Sequence, residues 1–126
     1  MTNQHVFEQV WRHFVVERNE PGMAQGVCFL RGANDTRCAI GLLIPDRLYD
    51  ESMENRKMRG PRGILTHYPR VAEHFSNVSG QLLESLQWAH DFAAMNPDAD
   101  FYAEIEACLI EIAQRHRLRL PYIEEA

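Results

Sequence analysis

No apolar run in this 126-residue chain approaches the roughly 20 residues needed to cross a bilayer, and Met1-Thr2-Asn3-Gln4-His5 is not a basic segment leading into an apolar one. Neither a membrane nor an export pathway is therefore expected, and the cytoplasm is the expected location. Cysteine is scarce. Cys28, Cys38 and Cys108 form an odd set in a chain without an export signal, which argues for reduced thiols and against a disulfide framework. Neither Cys-x-x-Cys nor His-x-x-x-His occurs, and nine residues between Cys28 and Cys38 is not a usual zinc-ligand spacing, so no metal is expected. Gly32 and Gly41 belong to neither of the two common glycine-rich phosphate-binding patterns, so no nucleotide cofactor is expected. Basic residues are outnumbered 13 to 18, giving a net charge of -5 and a pI of about 5.6, which opposes nucleic acid as a partner. Internal repeats and low-complexity segments are also missing.

What remains is an ordinary globular composition, 45% hydrophobic and 25% charged, enough for one domain spanning 1–126 that buries roughly two-thirds of its unfolded surface. The periodicity points to an α+β fold, mainly α-helical with four to six helices and one β-hairpin near residues 27–40. Val6, Phe7, Val10, Trp11, Phe14 and Val15 recur at helical spacing over residues 3–18, and Pro21-Gly22 stops that run. Val27 to Arg31 is β-rich, Gly32-Ala33-Asn34-Asp35 is turn chemistry, and Thr36 to Ile40 can return as the second strand. Pro45-Asp46 allows a helix through about Met53. Residues 54–63 read as a mobile polar loop, and residues 64–75 as two short helices divided at Pro69. The helix over 81–95 places Leu82, Leu83, Leu86, Ala89, Ala93 and His90 on one face, and a last helix covers 101–117 with Ile105, Cys108, Leu109 and Ile112 inward.

Several residues are candidates for chemistry. Cys28 or Cys38 could serve as a thiol nucleophile with His90 as base and Asp91 or Asp46 orienting it, since such chemistry needs an imidazole to draw the thiolate pKa down. His90 and Asp91 are adjacent in one helix and point about 100° apart, so no direct contact between them is expected. The competing reading is packing for the cysteines and a core hydrogen bond for His90. Arg31 and Arg37 bracket the turn and either bind an anionic partner or hold the turn through Asp35. Arg56, Lys57, Arg59 and Arg62 put four cations in seven residues, a weak phosphate-binding signal or a solvated loop. Gln87 and Asp91 offer a polar partner-binding edge. From Gln81 to Gln114 there are Glu84, Asp91, Asp98, Asp100, Glu104, Glu106 and Glu111 without a lysine or arginine, an acidic side suited to docking on a basic surface or to solubility.

The turn Cys28-Phe29-Leu30-Arg31-Gly32, the segment Cys38-Ala39-Ile40-Gly41-Leu42-Leu43-Ile44-Pro45-Asp46 and the helical Leu86-Gln87-Trp88-Ala89-His90-Asp91 resemble a family of short, uncharacterised bacteriophage and bacterial proteins. The chain departs from that pattern in its long Arg18 to Gly26 lead-in and in leucine at 42 or 43, where relatives often carry a further cysteine, which weakens a metal or redox reading. The resemblance implies a small phage-associated interaction protein that occludes a host or defence protein in the host cytoplasm. Its binding residues are expected among Arg31, Arg37, Asp46, Arg56, Lys57, Arg59, Arg62, Gln87 and Asp91. The alternative is a cysteine-dependent hydrolase or transferase using Cys38 or Cys28 with His90.

Overall fold

The computed structural model describes residues 1–60, 62–96 and 98–121. Within them lie six α-helices and one two-stranded antiparallel hairpin, the mainly helical α+β architecture that the periodicity predicts. Helix α1 (Asn3–Trp11) begins where the Thr2 hydroxyl accepts the His5 N–H, and it turns Val6, Phe7, Val10 and Trp11 inward. One turn of π-helix, Arg12–Val16, follows and carries Phe14 into the core. Arg18 then adopts a left-handed conformation, and Asn19 closes the end through its backbone and side-chain N–H groups on the His13 carbonyl.

Strands β1 (Met23–Ala24) and β2 (Val27–Cys28) pair antiparallel, with Met23 opposite Cys28 and Ala24 opposite Val27. Gln25 and Gly26 between them both have positive φ, the two-residue turn whose twist suits a hairpin. The partner of β2 thus precedes it, whereas the sequence reading sought it at 36–40. That later stretch contributes only isolated bridges at Arg37, antiparallel to Arg31 and parallel to Pro21, because Asn34 and Asp35 take left-handed conformations that coil Ala33–Asp35 into a tight turn. Cys38 then opens a helix rather than extending a strand. Its sulfur accepts the Gly41 N–H at 3.2 Å, capping α2 (Ala39–Leu43), whose first turn lies directly on the Leu30 backbone.

The single helix expected after Pro45 is instead two 3-10 turns, Asp46–Leu48 and Glu51–Met53. Asp50 divides them, since its carboxylate accepts the Ser52 N–H and hydroxyl and so starts a new turn. Residues 54–60 and 62–63 are fastened rather than free-standing. Met58 is buried, Ile64 and Leu65 donate their N–H groups to the Lys57 and Met58 carbonyls, and Arg59 pairs with Glu84. Helices α3 (Ile64–His67) and α4 (Pro69–His74) are separated at Tyr68, which cannot continue a helix into a following proline.

Helix α5 (Gly80–Ala94) is capped by the Ser79 hydroxyl and α6 (Phe101–His116) by the Asp100 carboxylate. The two pack together and form the frame, with α1 and α2 laid against α5. Leu82, Leu83, Leu86, Ile105 and Leu109 are fully buried between these layers together with Phe7 and Phe14. No described helix is long and apolar enough to cross a membrane.

Candidate functional site

A cleft of about 520 Å³ opens between three segments: Cys28 at the end of β2 with Phe29 and Leu30 just beyond it, residues 54–58 opposite, and Glu84, Gln87, Trp88 and Asp91 of α5. Ile40, Met58 and Ile64 give it an apolar lining. The helical spacing of 84, 87, 88 and 91 turns these four side chains toward one side of α5, while Leu83, Leu86, His90 and Ala93 take the buried side. Of the residues singled out from sequence, the fold brings Cys28, Arg56, Lys57, Gln87 and Asp91 to this one place. His90 stands directly beneath, fully buried.

Hydrogen bonds fix the roles of the cluster. Gly22 N–H donates to His90 Nε2 at 3.0 Å, which spends that lone pair and leaves the ring proton on Nδ1. Nδ1 lies 2.9 Å from Asp91 Oδ1, so the two neighbours do meet despite their 100° offset. The contact is possible because a short carboxylate can curl back along the helix toward an adjacent ring. Gln87 Nε2 donates to the same Asp91 oxygen at 2.7 Å, and Gln87 Oε1 accepts the Ile40 N–H at 3.1 Å, satisfying a donor at the start of α2. Burial pushes the Cys28 thiol up to about 12, and the Asp91 charge and its hydrogen bond to the thiol push the same way. Cys38, fully buried, is also raised to about 12 by burial, against the opposing pull of the Gly41 N–H.

A thiol nucleophile needs the reverse arrangement, with an imidazole lone pair or a cation facing the sulfur. Cys28, His90 and Asp91 each place a ligand atom within 4.8 Å of the others, the one such mixed group among the described residues. A metal there requires the Nδ1 lone pair, and the Gly22 N–H on Nε2 keeps a proton at Nδ1 instead. The donor set does not fit a metal.

Arg31, Arg37 and Asp46 assemble elsewhere. Asp46 accepts from Arg31 at 2.8 Å and Arg37 at 3.1 Å, while Arg37 reaches Asp35 at 3.5 Å. The Arg37 hydrogen bond, followed by the Arg31 charge, holds the exposed Asp46 carboxyl below its ordinary range. Arg31 also donates to the Ile44 carbonyl and lies 4.3 Å over the Tyr49 ring. The group closes residues 31–46 into a clip. Glu54, which sequence reasoning did not single out, locks the clip to the cleft: it accepts the Leu30 and Arg31 N–H groups and the Tyr49 hydroxyl.

Sequence reasoning also missed Trp88, Phe92 and Met95, exposed by 57%, 46% and 53%. The first two stack with ring centroids 5.0 Å apart and planes 18° from parallel. The signal was present, since these positions lie off the buried stripe of α5 at spacings of four and three. The acidic side is largely committed internally: Glu84 pairs with Arg59, Glu111 with Arg115, Asp91 with His90, and Asp100 caps α6. Comparison of the chain with protein families, with curated proteins and with solved structures returned no match.

Proposed function

We propose that this protein is an interaction module that binds another protein through the outer side of α5 and the adjoining cleft, and so occludes it. The observation that carries the reading is the exposed stack of Trp88 on Phe92 beside a cleft rimmed by Arg56 and Lys57. Large aromatic side chains held in a fixed geometry at the surface bury much area on contact with little loss of side-chain freedom, and they dominate binding energy where they occur. The family resemblance makes a host or defence protein the partner. The cysteine-dependent alternative gains no support from the cluster, whose hydrogen bonds favour a neutral thiol and occupy both nitrogens of His90.

The test is affinity capture from host lysate with wild type, Trp88→Ser and Cys38→Ala. A stoichiometric partner retained by wild type and by a folded Cys38→Ala, and lost with Trp88→Ser, is expected. Capture indifferent to Trp88→Ser, or a thiol that alkylates rapidly in the folded protein near neutral pH, overturns the reading.

A further inference from the structure

The cleft beside Trp88 has two walls of different chemistry, and each carries unused bonding capacity. On one wall, Phe29 N–H bonds to the Gly22 carbonyl at 2.9 Å. In an antiparallel ladder successive residues alternate inward and outward, so the Cys28 N–H and carbonyl point away from β1. Leu30 N–H, two residues on, faces the same side, where the Glu54 carboxylate accepts it at 2.8 Å. The outer edge running from β2 to Leu30 is therefore a place where an oxygen acceptor already sits on one N–H, while the N–H two residues before it, at Cys28, has no partner among the described residues.

On the other wall the charges are unevenly used. The three carboxylates lining the cleft are engaged: Glu54 by two backbone N–H groups and Tyr49, Glu84 by Arg59, and Asp91 by Gln87 and His90. The cations meet no carboxylate: Lys57 is exposed without a carboxylate partner among the described residues, and Arg56, which donates to the Ser52 and Arg62 carbonyls and lies 5.7 Å over the Tyr68 ring, has none among them either. Although the whole chain is acidic, the free donors at the mouth of this cleft are cationic and backbone N–H groups. Its volume, about 520 Å³, lies within the roughly 300–1,000 Å³ typical of binding clefts.

We infer that the cleft receives an extended, acidic segment of a partner protein, which adds along the edge of β2 at Cys28. Its carboxylates meet Arg56 and Lys57, and one apolar side chain inserts among Ile40, Met58, Ile64 and Trp88. An added strand supplies the acceptor and donor that the Cys28 backbone lacks among the described residues, while side-chain pockets on alternate positions supply selectivity. The inference rests on the interaction reading above and adds the chemistry of the bound segment.

Selection of an unbiased random-peptide library against the full chain tests it. Enrichment of peptides with Asp or Glu beside a single aromatic or aliphatic residue is expected. A selected peptide shifts the Cys28 amide and Trp88 indole resonances and shields Lys57, the only lysine in the chain, from acetylation. Lys57→Glu, alone or with Arg56→Glu, weakens it by about tenfold or more, as reversing a contacting charge does. No enrichment, basic peptides, affinity unchanged by Lys57→Glu, or resonance shifts remote from Cys28 and Trp88 overturn the inference. The two readings fail separately. A lysate partner lost with Trp88→Ser but indifferent to Lys57→Glu and to the selected peptides overturns the acidic segment alone, whereas no Trp88-dependent partner overturns the interaction reading itself.

Discussion

At the scale of single residues the decisive group is Cys28, because its surroundings choose between a reactive thiol and a hydrogen-bond donor. Burial comes first and Asp91 second in raising it to about 12, so at pH 8 only about one molecule in ten thousand carries the thiolate, the form that alkylates. Iodoacetamide is expected to modify Cys28 slowly in the folded chain, with a rate that climbs about tenfold per pH unit to beyond pH 10. Asp91→Asn removes the negative charge beside the sulfur, so its thiol pKa falls and alkylation at pH 8 accelerates. A rate insensitive to that substitution would show that Asp91 does not control the thiol. The same shift links to stability. The thiols rise from 9.0 to about 12 on folding, so between those values the folded state holds protons the unfolded chain has released. Their contribution is fully present below pH 9 and is lost as pH rises toward 12, which alkaline urea titrations of wild type and Cys38→Ala would read as a shallower decline in the variant.

At the scale of elements, α2 is five residues long and cannot stand by itself; it exists because Cys38 caps it, Gln87 takes its Ile40 N–H and its first turn presses on Leu30. Gly41 makes that approach possible, since a β-carbon there would overlap the Leu30 carbonyl, a backbone atom that cannot turn aside. Gly41→Ala is expected to lower stability by about 3 kcal/mol, measured by urea denaturation, and to disturb the cleft floor at Ile40 as well. A near-neutral outcome would mean that α2 slides without cost. This element also marks the boundary of what sequence carries. Helices α5 and α6 are legible because fifteen and sixteen residues repeat their apolar spacing four times over. Residues 27–53 are not, because short turns there are decided by local polar bonds: Asn34 and Asp35 in left-handed conformations, Asp50 restarting a turn, Glu54 gathering three donors. The cleft shows the same division. His90 on the buried face follows from periodicity, whereas the lone pair it gives to Gly22 depends on a loop 68 residues away in sequence.

Across the whole molecule the two tryptophans occupy opposite environments, and the interaction reading stands on that contrast. Trp11 is 5% exposed in the core beside Phe7, while Trp88 is 57% exposed and, among the aromatic rings of the described residues, stacks on Phe92 alone. If Trp88 and Phe92 are kept at the surface for contact rather than for packing, removing them should spare the fold. Trp88→Ser with Phe92→Ser is expected to change stability by no more than about 1 kcal/mol, the scale of two surface substitutions that lose a stacked pair. Trp11→Ser, which opens the core, costs about 3–5 kcal/mol. Fluorescence separates the two directly: wild-type emission contains a red-shifted component quenched by acrylamide, and Trp88→Ser leaves the blue, protected emission of Trp11. Equal destabilisation by the two single variants, or an acrylamide-resistant Trp88, would make the stack part of the core and remove the surface on which a partner is proposed to bind.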